Sequence, residues 1–124
     1  MPRVLLVEND AVTRADIAEL LREEGYDVDE ARNGKEALER LDAAPVSPVL
    51  ILLDLSTPVM NGWDFRRAQL ASERHRDVPV ALMTGNAQAE EFANELGASL
   101  LKKPFDLSAL LKLLSEAASA ADSR

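Results

Sequence analysis

The sequence predicts a doubly wound α/β domain: five parallel strands in the order 2-1-3-4-5, with five helices covering the two faces of the sheet. Three observations lead there. Short runs rich in Val, Leu and Ile fall at residues 4–7, 26–31, 49–53, 78–83 and 99–101, and each is followed by a stretch with helical spacing. The runs at 4–7, 49–53 and 80–83 are apolar throughout, as strands buried on both faces must be. By contrast, Tyr26-Asp27-Val28-Asp29 alternates and Ser99-Leu100-Leu101-Lys102 is short, so the second and fifth strands read as edges. Parallel neighbours need long crossovers, and helices supply them in right-handed units. The strand order then reverses between the first and third strands, where such sheets bind ligands at their carboxyl ends.

Taken in order, Val4-Leu5-Leu6-Val7 is the first strand and Glu8-Asn9-Asp10 leaves it. Asp10 can cap the first helix, Ala11, Ile17, Leu20 and Leu21 form its apolar stripe, and Gly25 stops it. Ala37, Leu38 and Leu41 belong to a second helix, after which Pro45-Val46-Ser47-Pro48 reads as a loop. The densest apolar run, Val49 to Leu53, ends at Asp54. Phe65 and Leu70 belong to a third helix; Ala89, Phe92, Ala93 and Leu96 belong to a fourth that ends at Gly97. Leu107, Leu110, Leu111, Leu114 and Ala118 keep the i, i+3, i+4, i+7, i+11 spacing of a last helix. The Ala/Ser-rich tail from Ser115 to Arg124 is expected to continue that helix and fray.

A chain of 124 residues with 47% hydrophobic content suits one domain with a real core, and no output domain is expected beside it. Lys and Arg number 14 against 22 Asp and Glu, a net charge of −8 that argues against direct contact with nucleic acid or anionic membranes. The chain has no cysteine, which excludes disulfides, thiolate metal sites and thiol nucleophiles and fits a cytoplasmic protein. No apolar run is long enough for a signal peptide or membrane span.

The predicted strand order brings Glu8-Asn9-Asp10 and Asp54 to one rim. Carboxylates gathered there would repel, an arrangement that invites a hard divalent cation with oxygen ligands, Mg²⁺ above all. Thr84, ending the fourth strand, and Lys103, ending the fifth, reach the same rim. Together these groups suit phosphoryl chemistry. An Asp carboxylate can attack phosphorus, the metal and an ammonium can neutralise the equatorial oxygens, and a hydroxyl can bond one of them.

Five ordered blocks carry a resemblance: residues 4–10, Ala31-Arg32-Asn33-Gly34-Lys35-Glu36-Ala37-Leu38, residues 53–62 from Leu53 to Gly62, Met83-Thr84-Gly85, and Gly97-Ala98 with Lys102-Lys103-Pro104-Phe105. In these the chain resembles the receiver domain of two-component response regulators, a flavodoxin-like fold, over essentially its whole length. The resemblance implies that Asp54 accepts a phosphoryl group from a phosphohistidine on a sensor histidine kinase or phosphotransfer protein. It implies that Glu8, Asn9, Asp54 and the main-chain carbonyl of Ser56 hold Mg²⁺, and that Thr84 and Lys103 bind the phosphoryl oxygens. A cis peptide before Pro104 is common in the family, and Ser56 and Asn86 hold the positions that tune the lifetime of the acyl phosphate. The output would be binding to a downstream protein, as a monomer or weak dimer, through the fourth helix, fifth strand and fifth helix.

Two positions depart from the family pattern. Asn9 stands where the second metal-binding acid is usual, which should weaken Mg²⁺ binding, and Asp10 is one residue too late to replace it. Leu100 stands where a Tyr or Phe commonly turns inward, so any response must use other movements around Thr84 and the fourth helix. These departures support an alternative, a phosphorylation-independent docking module that keeps the fold without efficient chemistry. Each site residue also has a plain structural reading: Asp54 as a turn residue, Lys103 as a solvated lysine, Thr84 as an ordinary strand residue, Glu8 and Asn9 as capping groups. His75, the only histidine, lies in a polar stretch and reads as a surface residue, and Trp63 reads as packing. An aspartyl phosphatase ranks lower because Ser56 stands where a proton-transferring acid is needed. A flavin carrier also ranks lower, because Glu8 and Asp10 would repel the flavin phosphate.

Overall fold

The computed structural model describes residues 2–55, 60–84, 89–102 and 106–122. Strands and helices alternate through the chain: β1 (Arg3–Val7), α1 (Ala11–Glu23), β2 (Asp27–Ala31), α2 (Gly34–Ala43), β3 (Leu50–Asp54), α3 (Gly62–Ala71), β4 (Val80–Thr84), α4 (Ala89–Leu96), β5 (Ser99–Lys102) and α5 (Leu107–Asp122). The strands are all parallel and lie in the order β2-β1-β3-β4-β5. The expected central and edge strands are thus the observed ones.

Alternation along each central strand splits the core into two layers. Val4, Leu6, Leu50, Leu52, Ala81 and Met83 pack with Ile17 and Leu21 of α1 and Leu110 and Leu114 of α5. Leu5, Val7, Ile51, Leu53 and Leu82 face the other way and pack with Ala37 and Leu41 of α2, Phe65 of α3 and Ala93 of α4. All five residues of β3 are buried, which explains the unbroken apolar run before Asp54. Among the described residues, no helix is long and apolar enough to cross a membrane.

Helix ends follow their local chemistry. Asp10 caps α1, accepting from the Thr13 backbone N–H at 2.9 Å and from the Thr13 hydroxyl. Gly25, at φ +92°, closes α1 with bonds from Gly25 N–H to the Arg22 carbonyl and from Tyr26 N–H to the Leu21 carbonyl. Gly97, at φ +64°, closes α4 in the same way, donating to the Asn94 carbonyl while Ala98 donates to Ala93. Asn33 and Asn61 cap α2 and α3.

Three expectations need correction. His75 is not a surface residue but 2% exposed, with its Nε2 3.0 Å from the Asp42 carboxylate. Ala11 and Leu107, placed on apolar stripes, are exposed, because α1 buries Ile17, Ala18 and Leu21 and α5 buries Leu110, Leu114 and Ala117.

Candidate functional site

The sheet register assembles the site. Val7 pairs with Leu53, so Glu8 leaves β1 beside the position where Asp54 ends β3. Asp54 pairs with Met83, and Thr84 follows at the end of β4. Three adjacent central strands therefore present Glu8, Asp54 and Thr84 in a row along their carboxyl rim. All three are buried, at 2%, 8% and 8% exposure, although each is polar. A polar side chain tolerates such burial only with partners, which makes this row unlike the rest of the sheet.

The surrounding elements hold each residue by its backbone. Glu8 N–H donates to the Ala31 carbonyl at 3.0 Å, and Arg14 Nη1 donates to the Glu8 carbonyl at 2.9 Å. Arg14 is in turn oriented by Glu30, with Nε 3.5 Å from its carboxylate. Asp10 N–H donates to Glu8 Oε2 at 3.2 Å, which aims the carboxylate along the start of α1. Past Asp54, Gly62 N–H donates to the Leu55 carbonyl at 3.2 Å, and a Cβ at Gly62 would lie 3.0 Å from Leu55 Cα. A side chain at position 62 would press on the Leu55 backbone, so glycine eases the close start of α3 at the end of β3. Met60, on the same return segment, accepts from Gly34 N–H at 2.9 Å at the start of α2.

The expected site residues are thus placed unequally. Glu8, Asp54 and Thr84 come together as the strand order requires. Asn9 is exposed beside them, and Asp10 is exposed with its carboxylate engaged as the cap of α1. Ser56, Asn86, Lys103 and Pro104 lie outside the described residues. Leu100 is half-buried and packs against the core layer of α2, α3 and α4. His75 precedes β4 and so lies at the amino end of the sheet, away from this rim.

The donor set fits a hard dication. Glu8 and Asp54 supply buried carboxylate oxygens and Asn9 an amide oxygen, with neither sulfur nor imidazole in the row. Among the described residues no three Asp, Glu, His or Cys side chains gather where they could hold a metal ion, so Asp10, whose carboxylate caps α1, does not join Glu8 and Asp54 in the acidic cluster the sequence suggested. Sequence reasoning missed Arg14, whose role depends on a contact with the carbonyl six residues earlier that no spacing rule reveals.

Comparison with known proteins agrees with this architecture. The family model described as the response regulator receiver domain matches residues 4–115. The transcriptional regulatory protein PdtaR of Mycobacterium tuberculosis is 38% identical over 121 residues, covering 94% of this chain and 57% of the relative. The chain spans about half the length of that relative and of the transcriptional regulatory protein CrdR of Helicobacter pylori, which is 39% identical over 113 residues, 87% of this chain and 51% of CrdR. The chemotaxis response regulator CheY4 of Vibrio cholerae superposes with a TM-score of 0.83 at 30% identity, over 94% of this chain and 98% of that one. The strand order, the register that aligns Glu8, Asp54 and Thr84, and these matches agree: the chain belongs to the response regulator receiver domain family.

Proposed function

We propose that this chain is a working receiver that takes a phosphoryl group on Asp54 from a phosphohistidine of a sensor histidine kinase or phosphotransfer protein. The observation that carries the reading is the buried row of Glu8, Asp54 and Thr84 on three adjacent strand ends. An Asp54 carboxylate oxygen attacks phosphorus, the bond from phosphorus to the histidine nitrogen breaks, and its electron pair leaves with the imidazole. The Thr84 hydroxyl donates to a phosphoryl oxygen and the Lys103 ammonium neutralises another. A Mg²⁺ ion would be held by Glu8, Asn9, Asp54 and the Ser56 carbonyl, and when bound it supplies positive charge against the oxygens of the phosphoryl group. Glu8 and Arg14 keep that rim in place, and the buried walls exclude water from one side of it. The product is an acyl phosphate, so the protein is a phosphoacceptor that signals by binding a downstream protein. The reading places it in the cytoplasm with its kinase.

Asn9 favours one other reading, a docking module whose chemistry has lapsed, since a neutral, exposed amide stands where the metal needs charge. Intact-mass spectrometry after incubation with acetyl phosphate and Mg²⁺ separates the two. One phosphoryl mass on the wild type, absent from Asp54→Asn, is the expected result. No adduct on the wild type together with a clear one on Asn9→Asp would instead establish the docking module.

A further inference from the structure

Among the described residues, the buried polar side chains fall into two groups. Glu8, Asp54 and Thr84 form the rim. Arg66, Gln69 and His75 form a second network that the site does not use. Arg66 leaves α3 and is 5% exposed, yet its partners are carbonyl oxygens rather than carboxylates. Nε donates to the Leu96 carbonyl at 3.1 Å, Nη2 to the Gly97 carbonyl at 3.3 Å, and Nη1 to Gln69 Oε1 at 2.6 Å. Gln69 passes the connection on, donating from Nε2 to the carbonyls of His75 at 2.9 Å and Val78 at 2.8 Å on the segment that enters β4.

Leu96 is the last residue of α4. The carbonyls of Ala93 and Asn94 are already taken by the N–H groups of Ala98 and Gly97, so Arg66 takes the carbonyls that follow. The last turn of α4 carries no basic residue of its own, and the positive charge that a helix carboxyl end favours arrives from α3. Burial lowers the pKa of Arg66, but a guanidinium stays protonated, so a buried charge is held here by two backbone carbonyls and the neutral Gln69 amide, with no carboxylate among its partners. The two helices it joins have their other ends at the rim. α3 begins against the Leu55 carbonyl beside Asp54, and α4 begins at Ala89, after β4 ends at Thr84.

We propose that Arg66 is the clamp that fixes the carboxyl end of α4 to α3. The inference concerns the helix pair itself and holds whether or not Asp54 is phosphorylated. Its test is hydrogen exchange read residue by residue on the full chain without a phosphoryl donor, for the wild type, Arg66→Met and Arg66→Lys, with thermal unfolding to establish that each is folded. Methionine keeps the apolar stem, while lysine keeps the charge but cannot bridge both carbonyls and Gln69. The expected result is that the Gly97 and Ala98 amides exchange about tenfold or more faster in Arg66→Met. Leu52 and Leu82 in the sheet should keep their rates, and Arg66→Lys should restore only part of the protection. Unchanged Gly97 and Ala98 rates overturn the clamp, and a uniform rise across the sheet overturns it in favour of a general stabilising role. Full protection in Arg66→Lys overturns it in favour of charge alone. Should Arg66→Met fail to fold, the lysine variant decides by the same amides.

Discussion

Position 34 has no room for a side chain. A Cβ there would lie 2.7 Å from the Met60 carbonyl oxygen and 2.8 Å from Met60 Cγ, and the Gly34 N–H is itself bonded to that carbonyl. Gly34→Ala must push Met60 and the return from β3 outward, at a cost of about 1–3 kcal/mol, the range for overpacking a tight contact. Urea unfolding checks this, and an unchanged midpoint would mean that the segment yields freely. Arg14 acts at one remove from the proposed metal site, through the Glu8 carbonyl. Arg14→Met is expected to weaken Mg²⁺ binding roughly tenfold, the low end for a residue that supports a ligand. Trp63, half-buried just after Gly62, supplies the fluorescence for that titration; an unchanged affinity would leave the Ala31 carbonyl as the sufficient anchor of Glu8. Residues of this kind mark the limit of what sequence conveys. Glu8, Asp54 and Thr84 were legible because each ends an apolar run. Arg66, Gln69 and His75 were not, because in a helix or polar loop a buried polar side chain looks like a solvated one until its partners are in place, and those of Arg66 and His75 include residues thirty or more positions away.

At the level of elements, the edge strand β2 shows how the fold protects its backbone. In a parallel ladder a residue's N–H and C=O point to the same side, and neighbours alternate. Asp27 N–H bonds Pro2 and the Ala31 carbonyl bonds Glu8, so Val28 and Glu30 point outward. Both outward carbonyls are taken by arginines from the flanking helices: Arg22 of α1 on Val28 at 3.1 Å and Arg40 of α2 on Glu30 at 3.3 Å. Such caps blunt an edge against strand addition. The double variant Arg22→Ala/Arg40→Ala should self-associate more than the wild type in sedimentation velocity, with the fold intact by circular dichroism; equal association would show that the side chains of β2 suffice. The helix boundaries were readable for a related reason: Gly25 and Gly97 are the positive-φ stops that local geometry demands, and Asp10 caps α1 as its type suggests. Stripe assignment was less secure. Ala11 and Leu107 sit at helical spacing yet face solvent, because α1 is buried through Ile17, Ala18 and Leu21 and α5 through Leu110, Leu114 and Ala117.

For the whole molecule, a net charge of −8 would work against gathering acids at one rim, yet none of the arginines seen to bond backbone neutralises the rim carboxylates directly. Arg14, Arg22, Arg40, Arg66 and Arg74 donate to main-chain carbonyls, which ties helix ends and strand edges together. Asn9 then has a global consequence. With an amide there the rim carries less negative charge, so the metal-free protein is relieved of repulsion and the metal-bound one loses attraction. Asn9→Asp should reverse that balance. In a chelating buffer the variant is expected to melt below the wild type, by about 3–5 °C if the added repulsion costs about 1 kcal/mol. Adding Mg²⁺ should raise its midpoint more than that of the wild type, because stabilisation grows with the ratio of free ligand to dissociation constant, about 2.7 kcal/mol at a hundredfold excess. The two melting curves would therefore change order between chelator and Mg²⁺. Equal shifts in both proteins would place position 9 outside the metal's reach and leave Glu8 and Asp54 as the acids that hold it.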